Sequence, residues 1–252
     1  MLRSEIYYDL WYYNSTPLSN TGFFATLLLS NDMILYIIAT PIGNLKDISE
    51  RALEILRSVD LILCEDTRVA SKLLSHFQIS KPLQSYHQHS QLTKMAYIVE
   101  EFKKGKNIAL VSDAGTPGIS DPGNKLIEYL ISKLPGIKII PIPGPCAATT
   151  ALSVSGFPAD KFIFLGFPPH KKGRETFFKE LAQEEKTVVF YESPHRMEKC
   201  LEQLKQFLPT DRKIVICREI TKMFETIYRG TIGDIDVPKN EIKGEFVIVL
   251  HP

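Results

Sequence analysis

Residues 108–123 read IALVSDAGTPGISDPG, and the fold turns on this stretch. Ile108, Ala109, Leu110 and Val111 form a short apolar run of the kind that fills a buried strand. Gly115, Pro117, Gly118, Pro122 and Gly123 then crowd into the next dozen positions. Beyond them Leu126, Ile127, Leu130, Ile131 and Leu134 recur at helical spacing. Strand, glycine loop and helix in that order define an α/β unit, and ligands of open α/β sheets gather beyond the carboxyl ends of strands. A loop this rich in glycine has bare amides that a ligand can approach closely. It matches neither a Walker loop nor GxGxxG, so neither phosphate-binding fingerprint applies. A decorated turn is the competing reading.

The same alternation runs outward from this loop. Residues 34–39 read as a strand broken by Thr40-Pro41-Ile42-Gly43-Asn44. Asp47 is expected to cap a helix with Ile48, Ala52, Ile55, Leu56 and Val59 on one face. Residues 61–64 are a second strand, followed by a helix burying Ala70, Leu73, Leu74 and Phe77. A helix over 90–104 is expected to bury Leu92, Met95, Ala96, Val99 and Phe102 and to stop at Gly105. Residues 137–142 lead into PIPGPCAATTALSVSG, a sharp turn and a helix start lined by Ala147, Ala148 and Ala151. Small side chains there admit either a ligand or close helix–sheet packing. The second half predicts strands over 162–165, 187–191 and 213–217. Residues 224–229 and 245–250 follow as a late pair with no helix between them, which points to an antiparallel portion. The fold class is therefore α/β with two α/β domains, 33–143 and 144–252, the second mixed parallel and antiparallel.

Composition bounds the function. The chain has 252 residues, is 44% hydrophobic and 23% charged, and carries a net charge of +1. Near-neutrality argues against a nucleic-acid binder driven by bulk electrostatics, leaving room for a local basic patch. Cys64, Cys146, Cys200 and Cys217 make no CxxC, so neither a zinc site nor a disulfide framework is expected, and reduced thiols fit a cytoplasmic protein. Residues 1–32 differ from the rest. Aromatic residues crowd there, and the apolar stretch 23–29 is too short to span a bilayer. The α/β pattern begins at Met33, so this extension is expected to lie outside the fold, and no membrane role is expected.

Several side-chain clusters carry chemistry in principle. Glu65-Asp66-Thr67-Arg68 ends a strand, where Asp66 is either a functional carboxylate or a helix cap paired with Arg68. His87 and His89 flank Gln88 in a loop, either facing substrate or simply solvated, with no third ligand to make a metal site. His170-Lys171-Lys172-Gly173-Arg174 is a compact basic loop that grips phosphates or is merely solvated. Glu192-Ser193-Pro194-His195-Arg196 closes a strand, with Ser193 as a helix cap and Pro194 at the first helical position. Arg196, Arg218, Lys222 and Arg229 add further cations.

Taken in order, LYIIATPIGNLKDISERALEIL, CEDTR, SYHQHS, VSDAGTPGISDPG, PIPGPCAATTALSVSGFP, FLGFPP, YESPHRM and GEFVIVL cover residues 33–252. They resemble the bacterial 16S ribosomal RNA cytidine 2′-O-methyltransferases, within the tetrapyrrole (class III) methylases. The resemblance implies S-adenosylmethionine (AdoMet) bound in a cleft between two α/β domains, a homodimer, and methylation in the decoding region of the small ribosomal subunit. It places Asp113, Ala114, Gly115, Thr116, Pro117, Gly118, Ile119 and Ser120 in the cofactor loop, with Gly115 to Pro117 where other members have Gly-Asp-Pro. Cys146 and Ala147 follow the second Gly-Pro turn and face the cofactor. Leu165, Gly166, Glu192, Ser193 and Gly244 transfer by strand order, and Pro41 and Gly43 are expected in the same cleft. Two features depart from the family pattern: residues 1–32 have no counterpart, and the small extension that many members carry after the position of Leu250 is missing.

The chemistry that this implies is alignment of a ribose 2′-hydroxyl with an activated methyl group and removal of its proton. Orientation alone supplies roughly 7–11 kcal/mol at best. Asp66 and His87 are the expected bases, with Arg68 orienting, and Lys171, Lys172, Arg174 and Arg196 the expected RNA contacts. No metal is expected. Two rivals remain: a small-tetrapyrrole methylase, whose cleft would lack a cationic rim, and a ribosome-assembly factor that binds RNA without catalysis.

Overall fold

The computed structural model describes residues 33–87 and 92–252. The extension over residues 1–32, His89 and the first turn of the helix expected from residue 90 lie outside the described residues.

The first sheet is wholly parallel. Its strands are β1 (Ile34–Ile38), β2 (Leu61–Cys64), β3 (Leu83–Ser85), β4 (Ile108–Val111) and β5 (Lys138–Ile142), in the order β3-β2-β4-β1-β5. Helices α1 (Glu50–Ser58) and α2 (Thr67–His76) cover one face, and α3 (Leu92–Lys103) and α4 (Asn124–Lys133) the other. Alternation along β1 sends Ile34, Tyr36 and Ile38 to the first face and Leu35 to the second, so both faces are apolar. The connection leaving β1 and the one leaving β4 run in opposite directions across the sheet. Their first loops therefore meet at a topological switch point, the place where such sheets bind ligands.

Two of the helix signals resolve differently in the fold. Ser49, not Asp47, caps α1, its hydroxyl accepting from the Ala52 amide at 3.1 Å, while Asp47 sits in a preceding 3-10 turn. Leu92 and Ile131 lie on apolar-looking faces yet are 68% and 57% exposed. Each stands at the border of its helix's apolar stripe, and the sheet covers only the centre of that stripe: Val99 and Phe102 in α3, Leu126 and Leu130 in α4.

The chain crosses to a second sheet through α5 (Ala147–Ser155). The strands there are β6 (Phe162–Phe164), β7 (Thr187–Glu192), β8 (Lys213–Arg218), β9 (Thr226–Thr231) and β10 (Phe246–Leu250), ordered β6-β7-β10-β8-β9. β6 and β7 are parallel and the remaining pairings antiparallel, so the expected antiparallel portion is present. The expected pairing of the two late strands with each other is wrong. β10 inserts between β7 and β8, and β9 pairs only with β8. The compositions explain it: FVIVL is buried at every position and suits the sheet centre, whereas TIYRGT keeps an exposed arginine and suits an edge. Helices α6 (Arg174–Gln183) and α7 (Pro194–Phe207) cover one face. On the other face α5 lays Ala148, Ala151 and Leu152 against Val189, Val215, Val247 and Val249. Ile42, from the loop after β1, joins that second core and ties the two sheets together.

Candidate active site

The site begins with how the glycine loop is held. The Thr40 amide donates to the Gly115 carbonyl at 2.9 Å and the Gly115 amide to the Thr40 carbonyl at 3.1 Å. The Thr40 hydroxyl reaches the Ser112 carbonyl, the Ser112 hydroxyl the Gly115 carbonyl, and the Thr116 hydroxyl the Pro145 carbonyl. Gly115 therefore does not offer a bare amide to a ligand; its amide is paired. The glycine is needed for its backbone, at φ +88°, which lets the loop turn back onto the strand above it. Gly118 and Gly123 also take positive φ, so the loop curls into a wall instead of a flap.

That wall encloses a cleft of about 340 Å³ between the two sheets, within the range of roughly 300–1,000 Å³ typical of small-molecule sites. On one side stand Asp113, Ala114, Gly115, Thr116, Ile119, Ser120 and Asp121. Cys146 and Ala147 at the start of α5, Glu192 and Ser193 at the end of β7, and Ile42 complete the groups expected near the loop. Phe167, Tyr191, Pro194, Ile220 and the first residues of β10 close the opposite side. Pro41, Gly43, Pro117, Gly118, Leu165, Gly166 and Gly244, all expected to line the cleft, are not among the residues that do so. Gly43 and Gly244 instead make room for other side chains: a β-carbon on Gly43 would stand 2.3 Å from Lys222 Cγ, and one on Gly244 2.3 Å from the Glu219 carboxyl.

The wall residues are themselves anchored. The Tyr191 hydroxyl accepts from the Ala148 amide at 3.2 Å, and burial pushes its pKa up. Its ring meets Phe167 edge-on at 5.3 Å. Glu192 is buried between two guanidinium groups, Arg174 at 2.9 Å and Arg196 at 2.8 Å. Arg174 also donates to Gln203 and to the Pro169 carbonyl, and Arg196 to the Pro168 carbonyl and Ser193 hydroxyl. This triad fastens the loop carrying Phe167 to the end of β7.

Arg174 is only 3% exposed, which corrects its expected place on an RNA-binding surface. Of its expected contacts, the basic loop presents Lys171 and Lys172 to solvent. Arg196, Arg218, Lys222 and Arg229 are likewise engaged: Arg218 with the Lys243 and Phe224 carbonyls, Lys222 with Glu219 and Glu245, Arg229 with carbonyls at the end of α5. A compact basic run in sequence says nothing about which cations fold inward.

A second pocket of about 380 Å³ opens beside the cleft. Glu65, Asp66, Thr67, Arg68, Ser85, His87 and Asp113 line it, so Asp66, Arg68 and His87 do come together. Asp66 caps α2, accepting from the Arg68 amide at 2.8 Å, and also binds the Arg68 guanidinium at 2.6 Å. The hydrogen bond from that guanidinium holds its carboxyl down to about 2. Cap and ion pair, the two structural roles open to Asp66, are both present. Asp113 lines both pockets and so joins them. Among the described residues no group of acidic, histidine or cysteine side chains is arranged to hold a metal ion, and no helix is long and apolar enough to cross a membrane.

Residues that sequence reasoning missed share one trait. Asp121, Tyr191 and Phe167 sit inside recognised motifs, but only the folded chain turns them to the cleft. Burial pushes the Asp121 carboxyl up to about 6, helped by the nearby negative charges of Glu65 and Asp113 and opposed by a hydrogen bond with Ser112.

With this geometry in hand, comparison with known proteins is decisive about family. Residues 34–236 match the family model described as tetrapyrrole (corrin/porphyrin) methylases. A protein of Haemophilus influenzae named ribosomal RNA small subunit methyltransferase I is 48% identical over 223 residues, covering 86% of this chain and 78% of its own. One of that name from Escherichia coli O157:H7 is 46% identical over 222 residues, covering 86% and 77%. Among solved structures, diphthine synthase superposes with a TM-score of 0.66 at 16% identity, covering 86% of this chain and 90% of its own. The methyltransferase CobJ gives 0.64 at 19% identity, covering 87% and 94%. At such identities these likenesses concern the fold.

Proposed function

Because the chain belongs to the tetrapyrrole (corrin/porphyrin) methylase family, and its 40–48% identical relatives carry the name of ribosomal RNA small subunit methyltransferases, we propose that this methyltransferase acts on 16S ribosomal RNA. The finer reading is transfer of a methyl group from AdoMet to the ribose 2′-hydroxyl of a cytidine in the decoding region of the small subunit. One observation carries it: a largely apolar cleft and a more open, charged pocket share a wall at Asp113. That layout suits a two-substrate transfer, with one chamber for the donor and one for the acceptor.

The cleft fits AdoMet. Ile42, Ala147, Ile220 and Val247 provide apolar walls for a purine and a methionine chain, and Ala114 and Gly115 leave the loop surface bare of bulk. The Asp113 carboxylate sets negative charge in the cleft, which suits a cationic donor. When bound, AdoMet supplies a methyl group already activated on a sulfonium. The protein's work is then orientation of the acceptor and acceptance of one proton.

In the acceptor pocket, Arg68 extends into solvent from its Asp66 anchor and is placed to hold a phosphate, and His87 lies beside it at the rim. Lys171 and Lys172 add cations on the exposed loop after Phe167. Local cations on a near-neutral protein suit recognition of a folded RNA surface by shape and 2′-hydroxyl contacts.

The test is transfer of labelled methyl from AdoMet to isolated small subunits, to naked 16S RNA and to a tetrapyrrole. Label in the small subunit's RNA is expected, at a site where alkaline hydrolysis is blocked because the 2′-oxygen is capped. Label in the tetrapyrrole alone would replace this reading with small-molecule methylation. AdoMet binding without transfer to any of the three would favour a non-catalytic assembly factor.

A further inference from the structure

We propose that Asp121 is the general base of the transfer, taking the proton directly from the acceptor hydroxyl. The inference rests on the ribose-methylation reading above.

Its warrant is position. Asp121 lines the donor cleft at the inner end of the glycine loop. The charged and titratable groups whose fields reach it are Glu65 at the end of β2, Asp113 in its own loop, and Tyr191, which lines the same cleft from β7. Glu65 belongs to the acceptor pocket, Tyr191 to the donor cleft, and Asp113 to both. Asp121 shares the donor cleft with Asp113, the residue at which the two chambers join, and that junction is where an acceptor hydroxyl must reach the methyl group.

Of the alternatives, Asp113 lines both chambers, but its carboxylate already accepts the Asp66 amide at 3.0 Å. The Asp66 carboxylate is held by the Arg68 guanidinium and by the capping bond of α2, and it does not line the donor cleft. Held down to about 2, it is a feeble proton acceptor. His87 lines only the acceptor pocket, on the Glu65 side. The burial that raises Asp121 toward neutrality makes it the better matched base at working pH, since a base is most effective when its pKa lies near that pH.

The step balances. The 2′-oxygen forms a bond to the methyl carbon as the carbon–sulfur bond breaks, and that bond's electron pair stays on sulfur. The hydroxyl proton passes to an Asp121 oxygen, and the resulting carboxylic acid then loses it to water.

The experiment compares wild type, Asp121→Asn and Asp121→Glu in single-turnover methylation of small subunits between pH 5 and 9. Calorimetry with AdoMet and with its uncharged product S-adenosylhomocysteine is run alongside. Asp121→Asn is expected to slow transfer by about 100-fold or more, the usual contribution of a general base. AdoMet affinity should stay within about threefold, which also shows that the variant is folded. Asp121→Glu should keep a measurable fraction of the rate, because it retains a carboxylate. The wild-type rate should rise with pH along a limb near pH 6 that vanishes in Asp121→Asn. A rate within tenfold of wild type in Asp121→Asn overturns the proposal. So does selective loss of AdoMet binding with the product's affinity intact, which would make Asp121 a holder of the sulfonium charge. Failure of the wild type itself to methylate any RNA would instead remove the ribosomal reading on which the proposal stands.

Discussion

The Asp113 carboxylate accepts the backbone amide of Asp66 at 3.0 Å, joining residues that lie 47 positions apart. Asp113 belongs to the glycine loop after β4, and Asp66 begins α2 after β2. One hydrogen bond thus ties the wall of the cleft between the sheets to the helix start that carries Arg68. The bond spans the wall that the cleft and the second pocket share. Near-attack geometry tolerates little slack, since misplacement by about 1 Å can slow a reaction by two orders of magnitude.

The first prediction concerns Gly115. A β-carbon there would find ordinary contacts, 3.4 Å to Ile42 Cγ2 and 3.7 Å to the Pro145 carbonyl, so crowding is not the problem. Its φ of +88° is, because a side chain in the left-handed region costs about 1–2 kcal/mol. Gly115→Ala should lower unfolding free energy by about that amount, and Gly115→Val by more. Both should weaken AdoMet binding by loosening the Thr40 pairing, as read by denaturant titration and calorimetry.

Gly43→Ala should be destabilising by about 1–3 kcal/mol, the usual range for overpacking. The new methyl would stand 2.3 Å from Lys222 Cγ and 2.8 Å from the Thr221 hydroxyl. Lys222 cannot swing aside without releasing Glu219 and Glu245. A melting temperature equal to wild type would show that the loop over residues 220–224 moves freely.

The basic loop separates into two kinds of cation. Lys171→Ala with Lys172→Ala should weaken binding to the ribosomal substrate and leave AdoMet affinity alone. The salt dependence of binding should flatten by roughly 0.7–0.9 in log–log slope for each phosphate that the loop no longer neutralises. Arg174→Ala should behave differently, costing about 1–3 kcal/mol of stability because it removes one of the two guanidiniums that compensate the buried Glu192. Equal salt slopes for the double lysine variant and wild type would show that this loop touches no phosphate.

Arg68→Ala should raise the KM for the ribosomal substrate more than it lowers kcat, with AdoMet affinity unchanged. The guanidinium is anchored at Asp66 but its side chain is 85% exposed, so it is available to an incoming phosphate. A change confined to kcat would place Arg68 at the reacting atoms instead.

A stability measurement bears on Asp121 without any substrate. Its folded pKa is raised from an ordinary 3.8 to about 6, so its neutral form is favoured by folding. The stability linked to this group is fully present below pH 3.8 and is lost as pH rises through 6. Asp121→Asn should therefore melt above wild type at pH 8, by about 2–4 °C per kcal/mol for a chain of this size, and the gap should close below pH 4. A gap independent of pH would mean that the carboxyl is not disfavoured by its surroundings.

What the sequence by itself determined is what short-range physics writes into it. The apolar run at 108–111, the glycine loop and the spacing of Leu126 and Leu130 specify strand, turn and helix, because each depends on neighbours within a few residues. The order of motifs identified the family for the same reason. Tertiary structure alone decided what depends on distant partners. It put β10 between β7 and β8, since only the assembled sheet has a centre for a strand buried at every residue. It turned Arg174 inward to Glu192 while leaving Lys171 and Lys172 in water, a distinction invisible in a run of like charges. It closed the Gly115 amide onto Thr40, 75 residues away, and raised the carboxyl of Asp121 by burying it, with Glu65 brought near. Charge pairing and desolvation act through space, and residue spacing along a chain does not record which groups will share a cavity.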